Sequence, residues 1–184
     1  MRIWRALTVS ATFVLATATA AAGDLAYAAT GTTTTTFVVV GGALSITVPA
    51  SPVNLGSGAP GATITAQLGT VQVTDARALL TTSWTGSVST TSFQTGGDTT
   101  AETVPAADIS YWSGPATATT GLGTFAPGQA NAAAAVTLAT TRTAFTLTSG
   151  VGDNSASWNP TFIVSLPAAA VVGTYTGTVT HSAA

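Results

Sequence analysis

What most constrains this chain is a period of two. Leu44, Ile46 and Val48 alternate with Ser45 and Thr47, and Ile64, Ala66 and Leu68 with Thr65 and Gln67. Val71 and Val73 alternate with Gln72 and Thr74, and Trp84, Gly86 and Val88 with Thr85 and Ser87. Phe145 and Leu147, then Phe162, Val164 and Leu166, then Tyr175, Gly177 and Val179 repeat the pattern. Successive side chains on a strand point to opposite faces, so this spacing gives each strand one buried and one solvated face. Turn signals separate the runs: Asn54-Leu55-Gly56, Gly58-Ala59-Pro60-Gly61, Gly96-Gly97-Asp98, Ser113-Gly114-Pro115, Pro127-Gly128 and the stretch Gly150 to Asn154. The expected fold class is all-β: a single-domain antiparallel β-sandwich of Ig-like type. The one helix candidate, Ala130 to Ala135, lacks a 3.6-residue apolar stripe and reads as loop then strand. Two facing sheets would bury Phe37, Ile46, Ile64, Val73, Trp84, Val88, Phe145, Phe162, Val164, Tyr175 and Val179 as one core.

Three segments precede or make up this pattern. Residues 1–28 read as a secretory signal peptide. Arg2 and Arg5 form its positive start, Ala6 to Ala22 is uncharged, and Ala26-Tyr27-Ala28 presents small residues to signal peptidase. Cleavage is expected after Ala28, leaving no membrane span in the mature chain. Residues 29–36 are Thr-rich. The run Thr32 to Thr36 is either a spacer or the first half of a strand continuing through Phe37 to Val40, and its β-branched residues favour the strand. Residues 37–184 form the sandwich.

Composition removes whole classes of function. From Ala29 onward there is no Cys and no Lys, and His181 is the only histidine. Formal charge rests on Asp75, Arg77, Asp98, Glu102, Asp108, Arg142 and Asp153 alone. Catalysis usually requires a general base, an activated nucleophile or a metal cluster, and this chain has little to build one from. No catalytic residue, metal site or cofactor is therefore expected. Nucleic acid is not an expected partner, because no basic patch is present to neutralise phosphates. Asp98 and Glu102 are the only carboxylates close enough in sequence to consider as a glycosidase pair, and their spacing gives that reading no support.

Two blocks of sequence carry a family resemblance. Gly69-Thr70-Val71-Gln72-Val73-Thr74-Asp75-Ala76-Arg77, followed by Ser83-Trp84-Thr85-Gly86-Ser87-Val88, resembles the first motif region of WxL-type domains. Gly173-Thr174-Tyr175-Thr176-Gly177-Thr178-Val179-Thr180 is similar to the strand that leads into that family's second Trp-x-Leu element. The resemblance spans about Phe37 to His181. WxL-type domains are exported domains of Gram-positive bacteria that attach non-covalently to peptidoglycan. The resemblance thus implies a secreted, non-enzymatic surface protein at the cell wall, with peptidoglycan or another wall glycan as partner and other surface proteins as further partners. Trp84 matches the first motif by identity. Gly86 stands at its Leu position, and His181 and Ala183 stand at the Trp and Leu positions of the second.

Trp84, Tyr111 and Trp112 are the candidate glycan-binding residues. Tyr111 and Trp112 are adjacent, so on a strand one of the two faces outward, where a flat ring can stack on a sugar. Trp84 alternates with Val88 at an inward-facing position, where a core Trp between two sheets is the commoner arrangement. Asp75 and Arg77 lie two apart, share a strand face and form a structural clip, of the surface type that contributes roughly 0–1 kcal/mol. Trp158 reads as a loop anchor and His181 as a frayed terminal residue. The competing function is a secreted structural or adhesive subunit that assembles by β-strand pairing, because native strand edges are usually guarded by charge and this chain has almost none.

Overall fold

The computed structural model describes residues 30–184. The expected signal peptide, residues 1–28, lies outside the described residues. The chain divides into two units, one ending at Val40 and one running from Gly41 to Ala184.

In the first unit, residues 30–40 carry no strand or helix and are exposed throughout. This corrects two expectations: Thr32 to Val40 is not a strand, and Phe37 is 88% exposed rather than part of the core. β-branched residues favour extended backbone, but a strand also requires a partner for its hydrogen bonds, and among the described residues no strand is paired with this segment.

The second unit is built from twelve strands. They are β1 (Leu44–Thr47), β2 (Thr63–Gln67), β3 (Val71–Asp75), β4 (Thr82–Thr90), β5 (Phe93–Gln94), β6 (Thr103–Val104), β7 (Ile109–Trp112), β8 (Ala116–Pro127), β9 (Val136–Thr137), β10 (Arg142–Trp158), β11 (Thr161–Ser165) and β12 (Val179–Ala183). The main antiparallel sheet contains β1, β3, β10, β4 and β12, with β8 also paired to β10. The second sheet runs β2-β11-β7-β9, and β5 pairs with β6 alone. The sheets pack face to face in a β-sandwich that approaches a barrel. Among the described residues no helix is long and apolar enough to cross a membrane.

The two-residue period produces strands where it was expected in β1 to β4 and β11, but Thr174 to Thr178 is irregular apart from an isolated bridge between Thr176 and Gln94, so the expected Tyr175 strand is absent and β12 begins at Val179. In β3, Val71, Val73 and Asp75 are buried while Gln72 and Thr74 face water. In β4, Thr82, Trp84, Gly86 and Val88 point inward. The Gly150 to Asn154 stretch behaves differently. It is not a turn between strands but the middle of β10, which runs seventeen residues. The first half of β10 pairs with β4 and its last five residues with β3, while β8 follows both halves. Phe145 and Trp158, both on β10, stack with ring centroids 5.0 Å apart. Thirteen residues of straight strand would separate them by about 40 Å, so β10 is sharply folded between its halves. The register with β8 shifts at the same place. Gly121 of β8 has φ of +82°, and a Cβ there would run into the Asp153 carbonyl oxygen. Only glycine provides both the left-handed backbone and the close approach that this fold in the ladder requires.

The core fills the space between the sheets. Trp158 and Phe145 stack at 17°, Trp84 lies over Phe145 at 6.4 Å, and Tyr111 meets Phe162 edge-on at 5.6 Å. The Trp158 indole packs over Gly86, within 3.4 Å of where a Cβ would stand. Trp158 is therefore a central core residue and not a loop anchor. Ile46, Ile64, Tyr175 and Val179 pack at the margins of this core, half-buried.

Candidate functional site

The residues singled out from sequence fall into three places. Asp75 closes β3, and Arg77 lies just beyond it in the excursion that leads to β4. The Arg77 guanidinium donates from Nε to Asp75 Oδ1 and from one terminal nitrogen to Oδ2, both at 2.8 Å. Thr82 Oγ1 donates to Asp75 Oδ2 at 2.7 Å, and Arg77 also donates to Thr82 Oγ1 and the Ser83 carbonyl. The pair is the expected clip, but it is not a surface pair, because Asp75 is 1% exposed. The Arg77 guanidinium holds the Asp75 carboxyl well below the usual carboxylate range, with Thr82 helping. A carboxylate so firmly paired neither takes up nor releases protons near neutrality, so its role is to tie the end of β3 to the start of β4.

Trp84 and Tyr111 are both in the core, and neither presents a ring to a glycan. Trp84 Nε1 donates to Asn154 Oδ1 at 2.8 Å, joining β4 to the bend in β10. Trp112 is the outward member of the Tyr111–Trp112 pair, half-buried, with its ring against Gly114. Of the three glycan candidates, it alone retains accessible ring surface, and the three do not converge on one site.

His181 is not frayed. It sits in β12 opposite Val88 of β4 and is buried. Trp158 Nε1 donates to the Tyr111 hydroxyl at 3.2 Å, and that hydroxyl lies 3.5 Å from His181 Nε2. The indole already donates to the Tyr111 oxygen, which leaves the phenolic proton directed toward His181 Nε2. Burial pushes the phenol up and the imidazole down to about 4. His181 is therefore neutral at pH 7. Between its ordinary value of 6.5 and about 4, the unfolded chain takes up a proton that the folded chain refuses. Stability from this source is complete above pH 6.5 and declines as the pH falls to 4. A urea titration series is expected to lose on the order of 3 kcal/mol across that window, and His181→Gln to flatten it.

Of the two carboxylates weighed as a catalytic pair, Glu102 is engaged within its own turn. Glu102 ends a short 3-10 turn, Thr100–Glu102. Its Oε2 accepts from both the backbone N–H and the hydroxyl of Thr99, which lowers its pKa. A glycosidase acid needs the opposite shift. Among the described residues, no three His, Asp or Glu side chains are grouped to hold a metal ion.

One concavity was not legible in the sequence. A cleft of about 720 Å3 lies between the segment Ser51 to Gly58 and the segment Ala170 to Gly177. Ile64, Val104, Val164 and Leu166 line it, with Phe93 and Tyr175 at its sides. The Tyr175 hydroxyl is engaged, donating to carbonyls of Ala101 and Val171. No charged side chain reaches the cleft. Its two walls lie outside the named strands, and the alternation at Tyr175 and Gly177 suggested a strand there rather than the wall of a cleft. Such a lining can hold an apolar or neutral extended ligand. Comparison with protein-family models, with curated proteins and with solved structures finds no match.

Proposed function

We propose that this chain is an exported, non-enzymatic structural protein of the cell surface that assembles by β-strand pairing. One observation carries the reading: strand-forming surface stands unpartnered and unguarded by charge. Phe37, Val38, Val39 and Val40 form a continuous run, each between 75% and 88% exposed. β8 is a twelve-residue edge strand that pairs with β10 only, and it contains no charged residue. Native edges of this length are normally blunted by Lys or other charges, and contiguous exposed apolar residues mark interaction surfaces. The test is sedimentation velocity of the chain starting at Ala29 over a wide concentration range. The expected result is larger species as concentration rises, and a strict monomer at the highest concentration overturns the reading.

A second reading, non-covalent association with peptidoglycan or another wall glycan, is supported by the WxL-type resemblance and by the accessible Trp112 ring. Assembly and wall retention are compatible. Co-sedimentation with purified sacculi tests it: saturable binding that falls at least tenfold in a folded Trp112→Ala variant is expected. Binding no greater than that of an unrelated soluble protein would rule it out.

A further inference from the structure

The sandwich is open along one side. β1 and β12 are outer strands of the main sheet, each hydrogen-bonded to a single neighbour, and they approach one another with no ladder between them. A hollow of about 260 Å3 lies between Val48 and Pro49, which follow β1, and Val179 and His181 of β12. It shares Ser51, Val53, Leu55, Phe93 and Gly177 with the 720 Å3 cleft, so the two form one trough. Its floor is the core itself. Val104 and Val164 are buried there, and Ile64, Phe93 and Leu166 are only half-covered. No Asp, Glu, Lys or Arg lines either part.

The chemistry of such a trough specifies its occupant. The occupant is uncharged and extended, with large apolar side chains to meet the apolar floor. This chain contains such a segment in Thr32 to Val40. It has no charge, its Thr and Val residues favour extended backbone, and its four large apolar side chains have no cover. On an extended backbone Phe37 and Val39 share one face, and nine residues reach about 30 Å.

The donor is a second copy and not the same molecule. The Gly42 N–H donates to the Ala76 carbonyl, and the Ala76 N–H to the Ala43 carbonyl, so the chain ahead of Leu44 continues the β1–β3 ladder. A Cβ on Gly41 would strike the Arg77 carbonyl oxygen. Turning back at Gly41–Gly42 to lie along its own β1 would break this pairing. Resting on the assembly reading above, we infer that Phe37 to Val40 of one copy enters the trough of a second copy as an extended segment that covers its apolar floor. The contact is heterologous, so it propagates into a ring or a filament.

The absence of Cys in the chain from Ala29 makes the test clean. Val39→Cys and Val53→Cys variants of that chain are mixed, each carrying one thiol, and oxidised. A disulfide between the two variants is then necessarily intermolecular. The expected result is a mixed dimer at least tenfold more abundant than either homodimer, abolished by adding Phe37→Asp to the Val39→Cys chain. Phe37→Asp also shifts the sedimenting species to monomer while leaving near-UV circular dichroism unchanged, since Phe37 lies outside the core. Assembly without preferential mixed crosslinking overturns this inference and leaves strand pairing through another edge, such as β8. An internal disulfide in a monomeric chain carrying both cysteines also overturns it, because the segment then closes its own trough. Absence of any assembly overturns this inference together with the reading it rests on.

Discussion

Trp158→Ala is expected to lose about 4 kcal/mol of folding stability, the scale of removing a fully buried large aromatic. Three losses coincide at this residue. The indole is completely buried and stacks on Phe145 at 5.0 Å. Its ring fills the space that Gly86 leaves open. Its Nε1 is the donor to the Tyr111 hydroxyl, which in turn faces His181. A domain of this size has roughly 5–15 kcal/mol in total, so the variant is close to the threshold of folding. Urea denaturation followed by near-UV circular dichroism measures it. Trp112→Ala is the control and is expected to cost less than about 1.5 kcal/mol, because Trp112 is only partly buried and lies outside the central core. Equal costs for the two would contradict a core in which the halves of β10 are folded face to face.

Asp75→Ala is expected to lose about 3 kcal/mol, since it strips a buried network of its charged acceptor. Arg77 loses both arms of its fork, and Thr82 loses its short bond. Asp75→Asn keeps the shape but not the charge, and is expected to cost nearly as much. The acid limb of stability identifies the group. The folded-state pKa of Asp75 is depressed below its ordinary 3.8, mainly by the hydrogen bonds from Arg77. Its contribution is therefore fully present above about pH 4 and is lost as the pH falls further. His181 acts in the window above, between 6.5 and about 4. Wild type should show both limbs, Asp75→Asn only the upper one, and His181→Gln only the lower one. Urea midpoints measured from pH 7 to pH 2 separate the two.

The legible part of this protein is the part that local alternation encodes. β1, β2, β3, β4 and β11 appear where apolar residues alternate with Thr, Ser or Gln, because the facing of a side chain on a strand depends only on its own backbone. The Asp75–Arg77 pair was legible for the same reason. Its burial was not, because that depends on Thr82 and the start of β4 closing over it. Adjacency placed Tyr111 and Trp112 on opposite faces without saying which faced the core. The answer comes from Trp158 and Phe162, one donating to the Tyr111 hydroxyl and the other meeting its ring edge-on. The cleft was not legible, since its walls are irregular segments far apart in sequence.

The sequence alone thus determined that this chain forms antiparallel strands with Thr-rich outer faces, and that it has few groups able to perform chemistry. Those are properties of residue type and spacing. Only the tertiary structure decided what the glycines at Gly150 and Gly152 do. They belong to a fold within β10 rather than a turn after it, because β8 follows the strand through the bend with Gly121 as its counterpart. Tertiary structure also decided that His181, near the C-terminal end, is buried by pairing with β4. It decided equally that Phe37, in the most apolar run of the mature chain, is left in water. A side chain is buried only if a second surface arrives to cover it, and which surfaces meet is set by strand pairing across the whole chain.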